Sequence, residues 1–138
     1  MRLVLALVIG LIAGAGHAAA QTPADRAAIQ AVITQQLDAF TQNDAAGAFA
    51  AASPMIQDMF GTPSNFIAMV QRGYPPVYRP RQRSFGELVT EDGQIVQKVG
   101  LVGPDGISYE ALYTMEKQPD GSWKINGCQL TASEDVAA

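Results

Sequence analysis

The sequence predicts an α+β fold, with N-terminal helices packed on a curved four-stranded antiparallel sheet. Three observations carry this expectation. Apolar residues recur at three- and four-residue steps from Ile29 to Phe40, the period of an amphipathic helix. Two hydroxyl–proline pairs follow, Ser53-Pro54 and Thr62-Pro63, each setting a capping side chain before a proline at the first helical position. The pattern then changes, and Asp92-Gly93, Asp105-Gly106 and Asp120-Gly121 punctuate the rest of the chain. Asp-Gly accepts the positive φ angles of hairpin turns, and three hairpins in series join four strands.

Residues 1–20 come first and read as a cleavable signal peptide. Arg2 provides the positive start, residues 3–15 are apolar or Gly, and Ala18-Ala19-Ala20 precedes Gln21 as a small-residue cleavage site. The apolar run falls short of the roughly 20 residues that a spanning helix needs, and no cysteine follows to carry a lipid. The domain itself is expected over residues 21–132, with a short polar tail at 133–138. Its first helix runs from Pro23 to Asn43, with Ile29, Val32, Ile33, Gln36, Leu37 and Phe40 on one stripe and Asp25, Arg26 and Asp38 away from it in solvent. Asn43-Asp44 caps a short second helix through Ala45, Ala48, Phe49 and Ala52. Gly61 and Gly73 stand as left-handed caps closing the two helices that the hydroxyl–proline pairs open. Pro75, Pro76 and Pro80 predict an extended connector from Gly73 to Pro80.

The strands are expected at about 82–90, 94–102, 107–117 and 122–131. In the third, alternation places Tyr109, Ala111, Tyr113 and Met115 towards the helices. In the fourth, Trp123 and Ile125 have the opposite parity to Cys128 and Leu130. A bulge at Asn126-Gly127 brings all four to one face and makes Trp123 and Ile125 core residues.

Composition excludes several functions. There are nine Lys and Arg against 13 Asp and Glu, and Arg2 leaves with the leader, so the mature domain is acidic and repels nucleic-acid backbones. The one histidine, His17, lies in the leader, which removes imidazole-based nucleophilic catalysis. With one cysteine and no histidine, no ordinary zinc site can form, and no cofactor-binding motif is present. A single thiol makes no internal disulfide. Cys128 reads as a small buried apolar residue, or else as a reactive thiol.

Two groups of residues remain as site candidates. Arg72, Arg79, Arg81 and Arg83, with Tyr74 and Tyr78 among them, hold half of the mature domain's positive charge. They read either as a mouth gripping an anion, with Arg81 and Arg83 facing it, or as a solvated, proline-stiffened connector. Tyr109 and Tyr113 read as pocket or as core, and so do Met55, Met59, Met69 and Met115. The candidate ligand-binding set is Tyr74, Tyr78, Arg81, Arg83, Tyr109, Tyr113 and Met69; catalytic and metal-binding sets are empty.

Several stretches carry a family likeness: Leu37-Asp38-Ala39-Phe40 with Asn43-Asp44, Phe49 and Ser53-Pro54, and then Gly73-Tyr74-Pro75-Pro76-Val77-Tyr78-Arg79-Pro80, Phe85-Gly86 and Trp123-Lys124-Ile125-Asn126-Gly127-Cys128. On these the chain resembles a bacterial family of small exported proteins classed as a domain of unknown function, with a nuclear transport factor 2-like (cystatin-like) fold. The resemblance implies a cone with a pocket between sheet and helices, a periplasmic or secreted location, and homodimers. It also implies relatives of two kinds, some of them isomerases, dehydratases or cyclases and others non-catalytic. Three functions are therefore carried forward: a non-catalytic periplasmic module binding a small amphiphilic or anionic ligand, a homodimeric interaction module, and a lyase- or isomerase-like enzyme using Tyr and a carboxylate. No nucleic acid is expected as a partner, nor a membrane once the leader is gone. Export with cleavage after Ala20 is checked by intact mass of periplasmic protein; a mass that retains residues 1–20 contradicts it.

Overall fold

The computed structural model of the chain describes residues 21–133. The signal-peptide expectation and all of the tail beyond Ser133 lie outside the described residues. Five helices precede four strands: α1 Pro23–Thr41, α2 Ala45–Ala50, α3 Pro54–Phe60, α4 Pro63–Gly73, α5 Pro75–Tyr78, then β1 Gln82–Glu91, β2 Gln94–Val102, β3 Ser108–Lys117 and β4 Trp123–Ala132.

Each of the first four helices starts where a side chain can satisfy a free N–H group of the first turn. Thr22 opens α1 in a reciprocal capping box with Asp25, so Asp25 is a capping residue as well as a surface one. Asp44 caps α2 by accepting from Gly47 N. Ser53 and Thr62 cap α3 and α4, each followed by proline. Gly61 closes α3 at φ 81°.

The expected extended connector is instead a helical turn, α5. Pro75 and Pro76 occupy its first two positions, where a missing N–H breaks no helical bond. Tyr78 N donates to Tyr74 O and Arg79 N to Pro75 O, at 2.9 and 3.0 Å. Gly73 is not a left-handed cap; it ends α4 within the helix, and Tyr74, barred from helical geometry by the following proline, breaks the chain at φ −136°.

The strands form a meander in the order β1-β2-β3-β4, antiparallel throughout. Only Asp92-Gly93 makes a two-residue turn with both φ positive, at 51° and 78°. The Asp105 and Asp120 loops are five residues long between strands. There the glycine alone is left-handed, and the aspartate accepts from the backbone two residues on, Ile107 N or Ser122 N, at 2.9 Å.

Register puts Val99, Leu101, Ala111, Tyr113 and Met115 on the helix-facing side. They join Ile29, Ile33, Leu37 and Phe40 of α1 and Trp123 and Ile125 of β4 in one core. The β4 register shifts between Thr114 and Met115, leaving Asn126 as the extra residue, so the expected bulge is present. Ile125 and Cys128 consequently share a face. A second irregularity interrupts β1 between Phe85 and Leu88. The buried Gln97 carboxamide donates to the Gly86, Glu87 and Lys98 carbonyls, which satisfies groups that the disrupted ladder leaves open.

The helical layer is pinned to β4 at its bulge. Ile125 N donates to Ala51 O and Ser53 N to Ile125 O, at 2.9 and 2.8 Å, and the Ser53 hydroxyl lies 2.6 Å from Asn126 Oδ1. Ser53 is wholly buried, whereas Thr62, a cap of the same kind, is exposed. Ser53→Ala is therefore expected to cost about 2 kcal/mol, since the partly buried Asn126 acceptor loses its donor along with the lost cap, against about 1 kcal/mol for Thr62→Ala. Urea unfolding measures both; equal small losses would show that the bulge is not pinned through Ser53.

Candidate functional site

The helices do not fill the space over β3 and β4 completely. A cavity of about 250 Å³ remains between α1, α3, α4, α5 and β4. Phe40, Phe66, Val70 and Val77 form its apolar depth, Met69 one side, and Ile56, Met59 and Phe60 of α3 the mouth. Three aromatic contacts hold these walls: Phe66 sits 6.1 Å from Phe40, 5.7 Å from Phe49 and 5.7 Å from Phe60, ring centre to ring centre. No residue of α3 is buried, and Met55 and Met59 are 50% and 63% exposed. Met55 does not line the cavity, and Met115 belongs to the core.

The polar groups on this wall are few and uncharged. Gln36 is buried on the apolar stripe of α1, its amide nitrogen held at 3.0 Å by Ala48 O. Tyr74 donates its hydroxyl to Cys128 O at 3.2 Å. Tyr113 and Cys128 are direct cross-strand partners. Tyr113 is 1% exposed, and its hydroxyl is the one buried side-chain polar atom among the described residues without a hydrogen-bond partner. Burial, with Cys128 beside it, holds this hydroxyl well above the usual tyrosine range. Burial likewise pushes the Cys128 thiol up to about 12. At neutral pH both groups are protonated, which makes Cys128 a poor nucleophile.

Of the seven residues singled out from sequence, Met69, Tyr74 and Tyr113 line this cavity, and Tyr78, Arg81, Arg83 and Tyr109 do not. Arg83 pairs with Asp38 of α1 at 2.5 Å, so Asp38 is a partner in a partly exposed ion pair and not merely solvated. Arg81 donates to Pro104 O at 2.8 Å. Tyr78 bonds to Asn43 and Gln71 beneath the Arg79 guanidinium, 5.0 Å from the ring centre. Tyr109 donates to Asp105 Oδ2 at 2.7 Å. That is a tyrosine–carboxylate pair, but it lies at a hairpin loop. The Ile107 N–H and the tyrosine hydroxyl hold Asp105 below the ordinary carboxylate range, the opposite of what a general acid needs. Arg83 and Tyr109 both border a separate depression at that end of the sheet. Gln36 and Cys128, absent from the sequence-derived set, belong to the cavity wall. Gln36 had a signal, a polar residue on an apolar stripe; Cys128 had one only through the register that the bulge sets.

The profile of a domain of unknown function (DUF4864) matches residues 22–138. The chain belongs to the DUF4864 family. No curated protein sequence matches this DUF4864 chain. Two solved structures share its fold. One is a protein of unknown function with a cystatin-like fold from Nostoc punctiforme, 11% identical, with TM-score 0.54, over 83% of this chain and 96% of that one. The other is ActVI-ORFA from Streptomyces coelicolor, 15% identical, with TM-score 0.53, over 84% of this chain and all of that one. The family and the cystatin-like α+β fold expected from the resemblance are thus both present.

The Cys128 thiol of this DUF4864 domain, on a residue that keeps part of its surface exposed, has a measurable consequence. An unfolded chain releases the cysteine proton near 9.0, and the folded one holds it to about 12. Above pH 9 the unfolded state therefore binds fewer protons, and stability falls as pH rises. Cys128→Ala should flatten the stability profile between about pH 8 and about pH 10.5, with slopes differing by up to about 1.4 kcal/mol per pH unit at the alkaline end. Parallel profiles from urea unfolding would show that the thiol is not withdrawn from water.

Proposed function

We propose that this domain is a non-catalytic binding module that takes a small, mostly apolar molecule into the cavity between the helices and β4. The observation that carries the reading is the combination in one place: an aromatic and aliphatic cavity of about 250 Å³, lined in part by a tyrosine whose buried hydroxyl has no hydrogen-bond partner. A core selected for packing alone leaves few voids larger than a water and pairs its buried hydroxyls. The volume is just under the roughly 300–1,000 Å³ of drug-sized ligand sites, which favours a compact occupant.

Catalysis has less support. No Asp, Glu, Lys or Arg lines the cavity, so Tyr113 has no charged partner with which to move a proton. An anion at the arginines has less support too, because Arg83 is already neutralised by Asp38. If residues 1–20 act as a leader, the binding takes place in the periplasm or outside the cell.

A neutral apolar dye tests the reading. N-phenyl-1-naphthylamine, a compact neutral dye, is expected to brighten on the native protein at about one site per chain. Val70→Phe, which sets a ring into the cavity, should abolish that signal while the melting temperature holds within a few degrees. Unchanged dye binding by a folded Val70→Phe variant, or no binding by the wild type, would overturn it.

A further inference from the structure

Resting on that reading of the cavity, we propose that its ligand is an uncharged molecule of the carbonyl class, whose oxygen accepts a hydrogen bond from Tyr113. The wall offers little else. The Tyr74 hydroxyl is committed to Cys128 O, and the Gln36 amide is anchored through one of its two N–H groups to Ala48 O. Tyr113 alone is a buried donor without an acceptor. It stands in β3 opposite Cys128, whose thiol lies beside the hydroxyl but meets it in no regular hydrogen-bond geometry; sulfur is in any case a weak acceptor. A buried donor left unmade is unfavourable in the empty protein. The hydroxyl itself has almost no accessible area, so a ligand oxygen reaches it once the wall beside it gives way by a small shift, and it then gains a hydrogen bond to a donor that is already desolvated.

The same wall selects against charge. It carries no cation, and an ion moved from water into an apolar space without a partner is disfavoured far more than a neutral oxygen. Arg83 is close enough for its charge to be felt at Tyr113, but Asp38 holds its guanidinium. A carboxylate deep in the cavity would therefore meet no free cation on the wall. Because burial keeps Tyr113 protonated well past neutrality, it remains a donor throughout the physiological range. The aromatic lining, Phe40, Phe60 and Phe66, favours a ring or a short branched chain as the apolar body of the ligand.

Three probes of one size separate the terms: acetophenone, benzoate and ethylbenzene, titrated by calorimetry into wild type and Tyr113→Phe. Ethylbenzene reports the cavity alone and should bind both proteins equally. Acetophenone should bind the wild type and lose about three- to tenfold in Tyr113→Phe, the range of one neutral hydrogen bond. Benzoate should bind the wild type at least about tenfold more weakly than acetophenone. The infrared carbonyl stretch of bound acetophenone should lie lower in wild type than in Tyr113→Phe, a change that a purely structural role of the hydroxyl would not produce. The variant should fold with equal or greater stability, because it removes an unpaired polar atom.

Ethylbenzene binding with acetophenone affinity and carbonyl stretch unaltered in Tyr113→Phe would overturn the carbonyl assignment and leave the cavity reading standing. Benzoate binding as tightly as acetophenone would overturn the uncharged class. Failure of all three probes to bind the wild type would overturn the cavity reading and this inference with it.

Discussion

The extra residue in β4 is the constraint on which the site depends. A strand presents alternate residues to one face, so Trp123 and Ile125 could not share the core face with Cys128 and Leu130 in an unbroken ladder. Asn126 resolves the conflict by leaving the ladder between the Thr114 and Met115 pairings. The displaced residue is then used. Its side-chain oxygen receives the buried Ser53 hydroxyl, and the backbone at Ala51 and Ser53 bonds to Ile125. One irregularity therefore turns Cys128 towards Tyr113, and it fixes where α3 leaves the sheet. The cavity lies between those two consequences.

Much of this was legible because it depends on local chemistry. The hydroxyl–proline pairs and Asp44 mark helix starts through bonds made within three residues. The Asp-Gly pairs mark reversals, although only Asp92-Gly93 forms the tight turn and the other two close five-residue loops. The β4 bulge was legible too, since apolar residues of both parities around a glycine leave few alternatives. The α5 turn was not. Prolines forbid a helix interior but suit its first positions, and a single turn has no periodicity to reveal it. The β1 irregularity was likewise hidden, because Gln97, which satisfies it, looks like any polar residue in a strand.

The site was half legible for the same physical reason. Tyr74, Tyr113 and Met69 stood out by type, and the structure brings them together. The arginines stood out by density, and the structure disperses them. Arg83 ties β1 to α1 through Asp38, Arg81 ties β1 to the Pro104 loop, and Arg79 covers Tyr78 beside Asn43. Each joins elements distant in sequence, and nothing in the local pattern distinguishes such a tie from a waiting anion site. These contacts are exposed, so each contributes little to stability; their effect is to fix the position of the segment that follows α4.

The cavity has a structural cost that bears on its role. An unfilled apolar space forfeits dispersion contacts along its lining, and a buried hydroxyl without a partner adds a desolvation penalty of roughly 1–3 kcal/mol. Both are located where the covering layer is weakest, under a seven-residue α3 that buries none of its side chains. The rest of the core is closed: Ile29, Ile33, Leu37, Val99 and Ala111 are all 1% exposed or less. Defects spread through a fold are ordinary imperfection. Here a void, an unmade hydrogen bond and a thinly held cover coincide in one place, and an occupant would relieve the first two while packing against the third. That coincidence, more than the cavity's size, is what supports the proposal that the cavity binds a ligand.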